Sequence, residues 1–114
     1  MKYVIIRDDD TCALTPIECL ETLYRPFLDR SLPVNLATIP NVRSDVYYPQ
    51  GPLMGQPEGF LVAAKGVKPG TYPIGSNEKL IEYLRTNPGY KIVHHAYHHE
   101  FVNARPEFDN PDAE

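Results

Sequence analysis

The sequence predicts an α/β fold assembled from parallel βαβ units, and three observations carry that reading. Three short apolar runs, YVII at 3–6, PVNLATI at 33–39 and YKIV at 90–93, have the uninterrupted, largely β-branched character of strands buried in a parallel sheet. Two amphipathic segments lie between these runs, each introduced by a helix-start signal. The first run, helix and second run are spaced as one βαβ unit, whose crossover makes its two strands parallel.

Each element has a local reason. The first run ends abruptly in Arg7, Asp8, Asp9 and Asp10, and the helix TPIECLETLY follows. Thr15 is placed to be its N-cap, Pro16 suits the first helical position, and Glu18 can reach back to complete a capping box. Ile17, Leu20, Leu23, Tyr24, Phe27 and Leu28 form one apolar stripe, while Pro26 removes a backbone donor and predicts a kink or break near Arg25. Ser76 is the expected cap of NEKLIEYLRT, with Leu80, Ile81 and Leu84 turned to the core and the NPG at 87–89 ending the helix.

Residues 40–73 change character. Pro49, Pro52, Pro57, Pro69 and Pro73, with Gly51, Gly55, Gly59, Gly66 and Gly70, leave room for no more than a short strand around GFLVAA. A loop this long in a compact domain is usually a lid or binding loop, and Tyr47, Tyr48, Phe60 and Tyr72 predict an ordered one.

Composition bounds the function. With 114 residues, 42% hydrophobic and 23% charged, the chain reads as one soluble domain over 1–114. A net charge of -4 without a basic stripe argues against nucleic acid or an anionic membrane surface as partner. The opening MKYVIIRDDD is too short in apolar residues for a signal-peptide core, and no segment is long enough to span a bilayer, so a cytoplasmic location is expected. Cys12 and Cys19, placed on one helix, would be separated by roughly 10 Å of rise, beyond disulfide reach, and are expected as reduced thiols.

Two polar clusters carry the chemistry. In parallel sheets, ligands and catalytic groups gather at the carboxyl ends of the strands. The Asp8, Asp9 and Asp10 cluster and the four histidines of KIVHHAYHHE both fall at that edge. Alone, the first reads as a solvated loop and the second as surface decoration; together they form a ligand set for a divalent transition metal. Histidines four apart face one ion if the backbone turns helically after the strand, which leaves two registers, His94 with His98 or His95 with His99. A tag is excluded because Ala96 and Tyr97 interrupt the cluster inside the chain. A zinc-protease helix fails because Ala96 stands where its Glu belongs.

The succession VIIRDDDT, a helix, LPVNLATIP and IVHHAYHHEF resembles the N-terminal half of the polysaccharide deacetylase, or NodB-like carbohydrate esterase, superfamily. The resemblance implies a truncated part of a deformed (β/α) barrel, since a closed barrel takes roughly 250 residues. It implies Asp9 as general base and Asp10, His95 and His99 as ligands of a divalent ion, with zinc expected; the register giving the carboxylate roles to Asp8 and Asp9 stays open. The implied reaction is hydrolysis of an N-acetyl or similar acyl group on an acetylated sugar or other small acylated substrate. Arg7, Tyr47 and Tyr48 are candidate substrate contacts, against the plainer readings of Arg7 as ion-pair partner of the acidic cluster and the tyrosines as loop anchors.

The family's remaining motifs, including its general acid, have no counterpart, so little turnover is expected of this chain alone. The other readings are a non-catalytic metal-binding or assembly module, and an iron enzyme using two His and one carboxylate. Strands apolar on both faces with only two helices to cover them predict a homo-oligomer or a missing C-terminal half. DNPDAE at 109–114 reads as the start of a further helix capped by Asn110.

Overall fold

Strand β2, Val34–Thr38, is the centre of a three-stranded parallel sheet in the order β1, β2, β5, flanked by β1 at Ile6–Thr11 and β5 at Tyr90–His94. The computed structural model describes residues 1–59, 61 and 66–111. Helix α1, Ile17–Leu28, lies between β1 and β2 in the chain, and helix α2, Glu78–Thr86, precedes β5. The main core joins Leu20 of α1, Val34 and Leu36 of β2, Leu80 of α2 and Tyr90 of β5. The mixed α/β class and the parallel pairing are as the sequence predicts. The sheet is open, with β1 and β5 as its edges, and no barrel closes among the described residues.

Polar contacts bind the helices to the sheet. Glu21 accepts from Arg25 at 2.8 and 2.9 Å and from the Tyr83 hydroxyl at 2.6 Å, while Arg25 also reaches Asn87 Oδ1 at 2.7 Å. The Arg25 guanidinium, and after it the Tyr83 hydroxyl, hold the Glu21 carboxyl down to about 2. Tyr90 donates to the Leu20 carbonyl at 3.2 Å, which fixes β5 against α1.

The first strand is displaced from its expected place. Tyr3, Val4 and Ile5 are 81%, 90% and 78% exposed, and pairing with β2 begins only at Ile6 opposite Val34. Pro33, just before Val34, has no N–H with which to extend the ladder backwards. The consequence is that all three aspartates lie inside β1. There the chain alternates, with Ile6 and Asp8 half-buried and Arg7 and Asp9 exposed.

The helix boundaries also differ in detail. No capping box forms at α1: Thr15 Oγ1 accepts from the Cys12 N–H at 2.9 Å, closing a turn before the helix, and Pro16 occupies the cap position. Pro26 does not break α1. The bond it removes would have ended on the carbonyl of exposed Thr22, and the Asp29 N–H to Arg25 carbonyl bond at 3.0 Å carries the last turn past it. Asn77, not Ser76, caps α2, its Oδ1 accepting from Leu80 N–H at 3.1 Å.

The Pro/Gly-rich stretch is ordered at both ends by strands β3, Asn41–Arg43, and β4, Thr71–Pro73, which pair antiparallel. The strand expected around GFLVAA at 59–64 rests mainly on 60 and 62–64, which lie outside the described residues. The edges of the sheet correct the expectation of strands buried on both faces. On β5, Ile92 and Val93 are 55% and 40% exposed, and they line an apolar groove of about 450 Å³ with Ile74, Ile81 and Leu84. Cys12 is buried, Cys19 is exposed, and both are free thiols. No helix among the described residues is long and apolar enough to cross a membrane.

Past β5 the chain makes a hairpin of β6, Phe101–Val102, and β7, Arg105–Pro106, followed by a single 3₁₀ turn at Glu107–Asp109. Asn103 and Ala104 at its tip have φ of 51° and 64°, the left-handed pair a two-residue hairpin turn requires. Asn110 ends the 3₁₀ turn, and its Nδ2 donates to the Val102 carbonyl at 2.7 Å; the helix expected to start there falls on 112–114, outside the described residues.

Candidate metal centre

An extra residue in β1 sets the site. The pairing runs evenly to Asp9 opposite Ala37 and resumes with Thr11 opposite Thr38, so Asp10 is left over as a bulge. Its φ of 73° lies in the left-handed region, where Asp is tolerated better than most residues at a cost of roughly 1–2 kcal/mol. The bulge takes Asp10 out of the strand's alternation.

The histidine loop is held from one side by the sheet. His95 N–H donates to the Thr38 carbonyl at 3.0 Å, tying the loop to the end of β2. The N–H groups of Asn41 and Arg43 on β3 donate to the carbonyls of Tyr97 and His98, each at 3.0 Å. His98 Nδ1 lies 2.7 Å from the Asn41 carbonyl, to which it can only donate. His99 then takes a φ of 56°, so two of the three converging residues occupy the left-handed region.

Asp10 Oδ1 stands 3.1 Å from His95 Nε2 and 3.1 Å from His99 Nε2, and one ligand atom from each of the three residues lies within 4.8 Å of the others. Bonds of about 2.0 Å to a tetrahedral ion would set ligand atoms about 3.3 Å apart, so the carboxylate–imidazole spacings suit such an ion. Asp10 Oδ1 is buried, and both imidazole Nε2 atoms converge on it, so the charge and the donors a cation needs lie together on one oxygen. The donor set of one carboxylate and two imidazoles fits a divalent transition metal.

The charges interact accordingly. The His99 imidazole lowers the Asp10 pKa; burial opposes this, and His95 adds to the lowering. Burial pulls His99 down, but the Asp10 carboxylate outweighs it and the net shift is upward. In metal-free protein the raised His99 stabilises the fold below its unfolded value of about 6.5 and loses that contribution as pH rises through its folded value. The lowered Asp10 contributes above its unfolded value of about 3.9 and loses that as pH falls through its folded value. The pair is therefore most stabilising at roughly pH 4–6.5, whereas a metal requires deprotonated imidazoles. The rise in melting temperature on adding zinc is expected to be larger at pH 8 than at pH 5.5. Equal rises in thermal melts at the two values would contradict the imidazole ligands.

The other candidate residues make contacts of their own. Asp8 accepts from the Tyr24 hydroxyl at 2.6 Å and so faces α1, not the imidazoles. Asp9 accepts from Arg7 Nε at 2.6 Å, both side chains being about half exposed, so Arg7 has its ion-pair role. His94 borders the apolar groove beside β5. The Tyr48 ring packs 5.9 Å from that of Phe101, while Tyr47 lines a cleft of about 390 Å³ with Arg43, Asp45, Val46, Pro49, Glu100 and Phe101. That cleft borders the histidine loop, because Glu100 and Phe101 directly follow His99.

Two residues around the site escaped the sequence reading. Glu107 takes backbone N–H groups of the histidine loop, and the Phe108 ring stacks on His95 at 5.2 Å and 20°. Asn103 was the available signal, since Asn at a two-residue turn returns the chain onto the segment it has just left.

No family model matches the sequence, no curated protein matches it, and no solved structure matches it.

Proposed function

We propose that the protein is a metal-dependent hydrolase of the polysaccharide deacetylase kind, acting on an acetylated sugar or a similar small acylated substrate in the cytoplasm. The observation that carries this reading is the convergence of the His95 and His99 imidazoles on one buried carboxylate oxygen of Asp10. The order of the Asp and His motifs along the chain supports the family assignment, and with it a NodB-like barrel of which this sheet is part. Asp10, His95 and His99 hold the ion, taken to be zinc. When bound, it supplies Lewis-acid polarisation of the acyl oxygen and a lowered pKa for water.

Asp9 is the base, taking a proton from the attacking water. Its partner Arg7 is itself about half exposed, and the pairing leaves the Asp9 carboxylate accessible to solvent. The cleft beside the histidine loop, with Tyr47 at its wall, is the place for the sugar. The open β5 edge and its apolar groove support cover by a second copy of the chain or by a further segment.

The test is a metal-loaded assay against N-acetylated oligosaccharides and an activated acetyl ester. Weak turnover is expected, lost in Asp10→Asn and reduced about 10²- to 10⁴-fold in Asp9→Asn, the range for a positioned base. Turnover indifferent to both substitutions would refute the hydrolase. Stoichiometric metal binding with no turnover would favour the non-catalytic metal module. The same donor set suits ferrous iron, and tighter retention of Fe(II) than of zinc by purified protein would favour the iron enzyme.

A further inference from the structure

The histidine loop has no regular secondary structure of its own between β5 and β6, yet it holds His99 in a left-handed conformation. One of its sides is fixed by β3 and the end of β2. The other side is met by the hairpin. Its register sets Phe101 opposite Pro106, and the next step brings Glu107 N–H onto the Glu100 carbonyl at 2.8 Å. The Glu107 side chain is thereby laid along the loop. Its Oε1 accepts from Tyr97 N–H at 2.7 Å, and its Oε2 accepts from His98 N–H at 3.0 Å and more weakly from Glu100 N–H at 3.4 Å.

These donors bracket His99 in the chain. A carboxylate that gathers the N–H groups of 97, 98 and 100 restrains the backbone angles on either side of residue 99. Charge-assisted bonds of this kind are about twice as strong as neutral ones, enough to offset a residue's excursion into the left-handed region. The residue after it acts on the rings. Phe108 lies 5.2 Å from the His95 ring at 20° and 5.4 Å from the His99 ring at 45°, so it touches both imidazoles and limits their rotation. Phe108 is itself 55% exposed, which is unusual for a ring whose only task is to fill a core.

We infer that Glu107 and Phe108 are positioning residues for the metal centre, Glu107 holding the backbone around His99 and Phe108 holding the planes of His95 and His99. The inference rests on the metal-site reading above. Groups outside the ligand shell that orient ligands typically change metal affinity by about 10- to 100-fold when removed.

The experiment is a Co(II) titration of the full chain, following the visible ligand-field bands, with folding of each variant checked by circular dichroism. Wild type is expected to bind one Co(II), and Asp10→Asn to lose it. Glu107→Ala is expected to bind about 10- to 100-fold more weakly and, at saturation, to show altered bands, because the imidazoles no longer meet the ion at fixed angles. Glu107→Gln keeps an acceptor oxygen and should fall between the two; it also serves if the alanine variant does not fold. Phe108→Leu should broaden or shift the bands with a smaller loss of affinity. Co(II) binding that is lost in Asp10→Asn but unchanged in affinity and spectrum in both Glu107 variants would overturn the inference and leave the metal site standing. Failure of wild type to bind Co(II) at all would overturn the metal site itself, and the positioning role with it.

Discussion

Replacing His95 or His99 by alanine is expected to raise the dissociation constant for zinc more than about 100-fold, beyond the range typical of groups outside the ligand shell. Each substitution removes one of three protein ligands whose atoms lie within 4.8 Å of one another, and two protein ligands hold zinc poorly at neutral pH. His94→Ala should change affinity little, because that side chain borders the groove beside β5. His98→Ala should have an intermediate effect, since its Nδ1 holds the loop to the Asn41 carbonyl without facing Asp10. Competition with a chromogenic chelator, on variants shown to be folded, measures all four. Equal losses at the four positions would mean that the cluster binds metal as an unstructured histidine tract, and that the convergence at Asp10 plays no part.

Leu36→Ala is expected to destabilise the fold by about 2–5 kcal/mol, a large part of the roughly 5–15 kcal/mol available to a small domain. Leu36 is fully buried at the middle of the central strand, packed among Leu20, Val34, Leu80 and Tyr90, so its truncation leaves a cavity between both helices and the sheet. The damage reaches the site, because Thr38, two residues on, carries the carbonyl that anchors His95. Metal affinity should therefore fall along with stability, although Leu36 belongs to neither motif. Leu53→Ala, at a position 46% exposed, is the control and should stay within about 0.5 kcal/mol. Urea denaturation measures both. A loss below about 1 kcal/mol for Leu36→Ala would show that the core is centred elsewhere.

The ease with which different features could be read follows the range of the forces behind them. The alternation of apolar runs and amphipathic segments is local, and it is enough to place a strand, a helix and a second strand in one parallel unit. The four-residue spacing of His95 and His99 is also local, and equally so is that of His94 and His98. Nothing in the tetrapeptide period distinguishes the two pairs. The difference arises from where β5 stops pairing with β2 and from the bond between His95 N–H and Thr38, a contact across 57 residues of chain. Similarly, Asn77 and Ser76 are both good cap residues, and the choice fell to Asn77 because its Nδ2 also reaches the Ala13 carbonyl at 2.9 Å.

By itself, then, the sequence determined the α/β class, the parallel pairing, the positions of both helices to within a few residues, and the two polar clusters near the ends of strands. The resemblance points to Asp10, but residue spacing alone leaves the register open, and tertiary structure decided which aspartate meets the imidazoles. Strand β1 could have paired from Tyr3; Pro33 in the neighbouring strand moved its start to Ile6, and a bulge then freed Asp10 while Asp8 turned to Tyr24 and Asp9 to Arg7. It also decided that β5 is an exposed edge and that Glu107 returns to the histidine loop. In each case the physical reason is the same. A strand's register, its neighbours and the direction of a side chain depend on partners distant in sequence, and a shift of one residue reverses which face a side chain occupies.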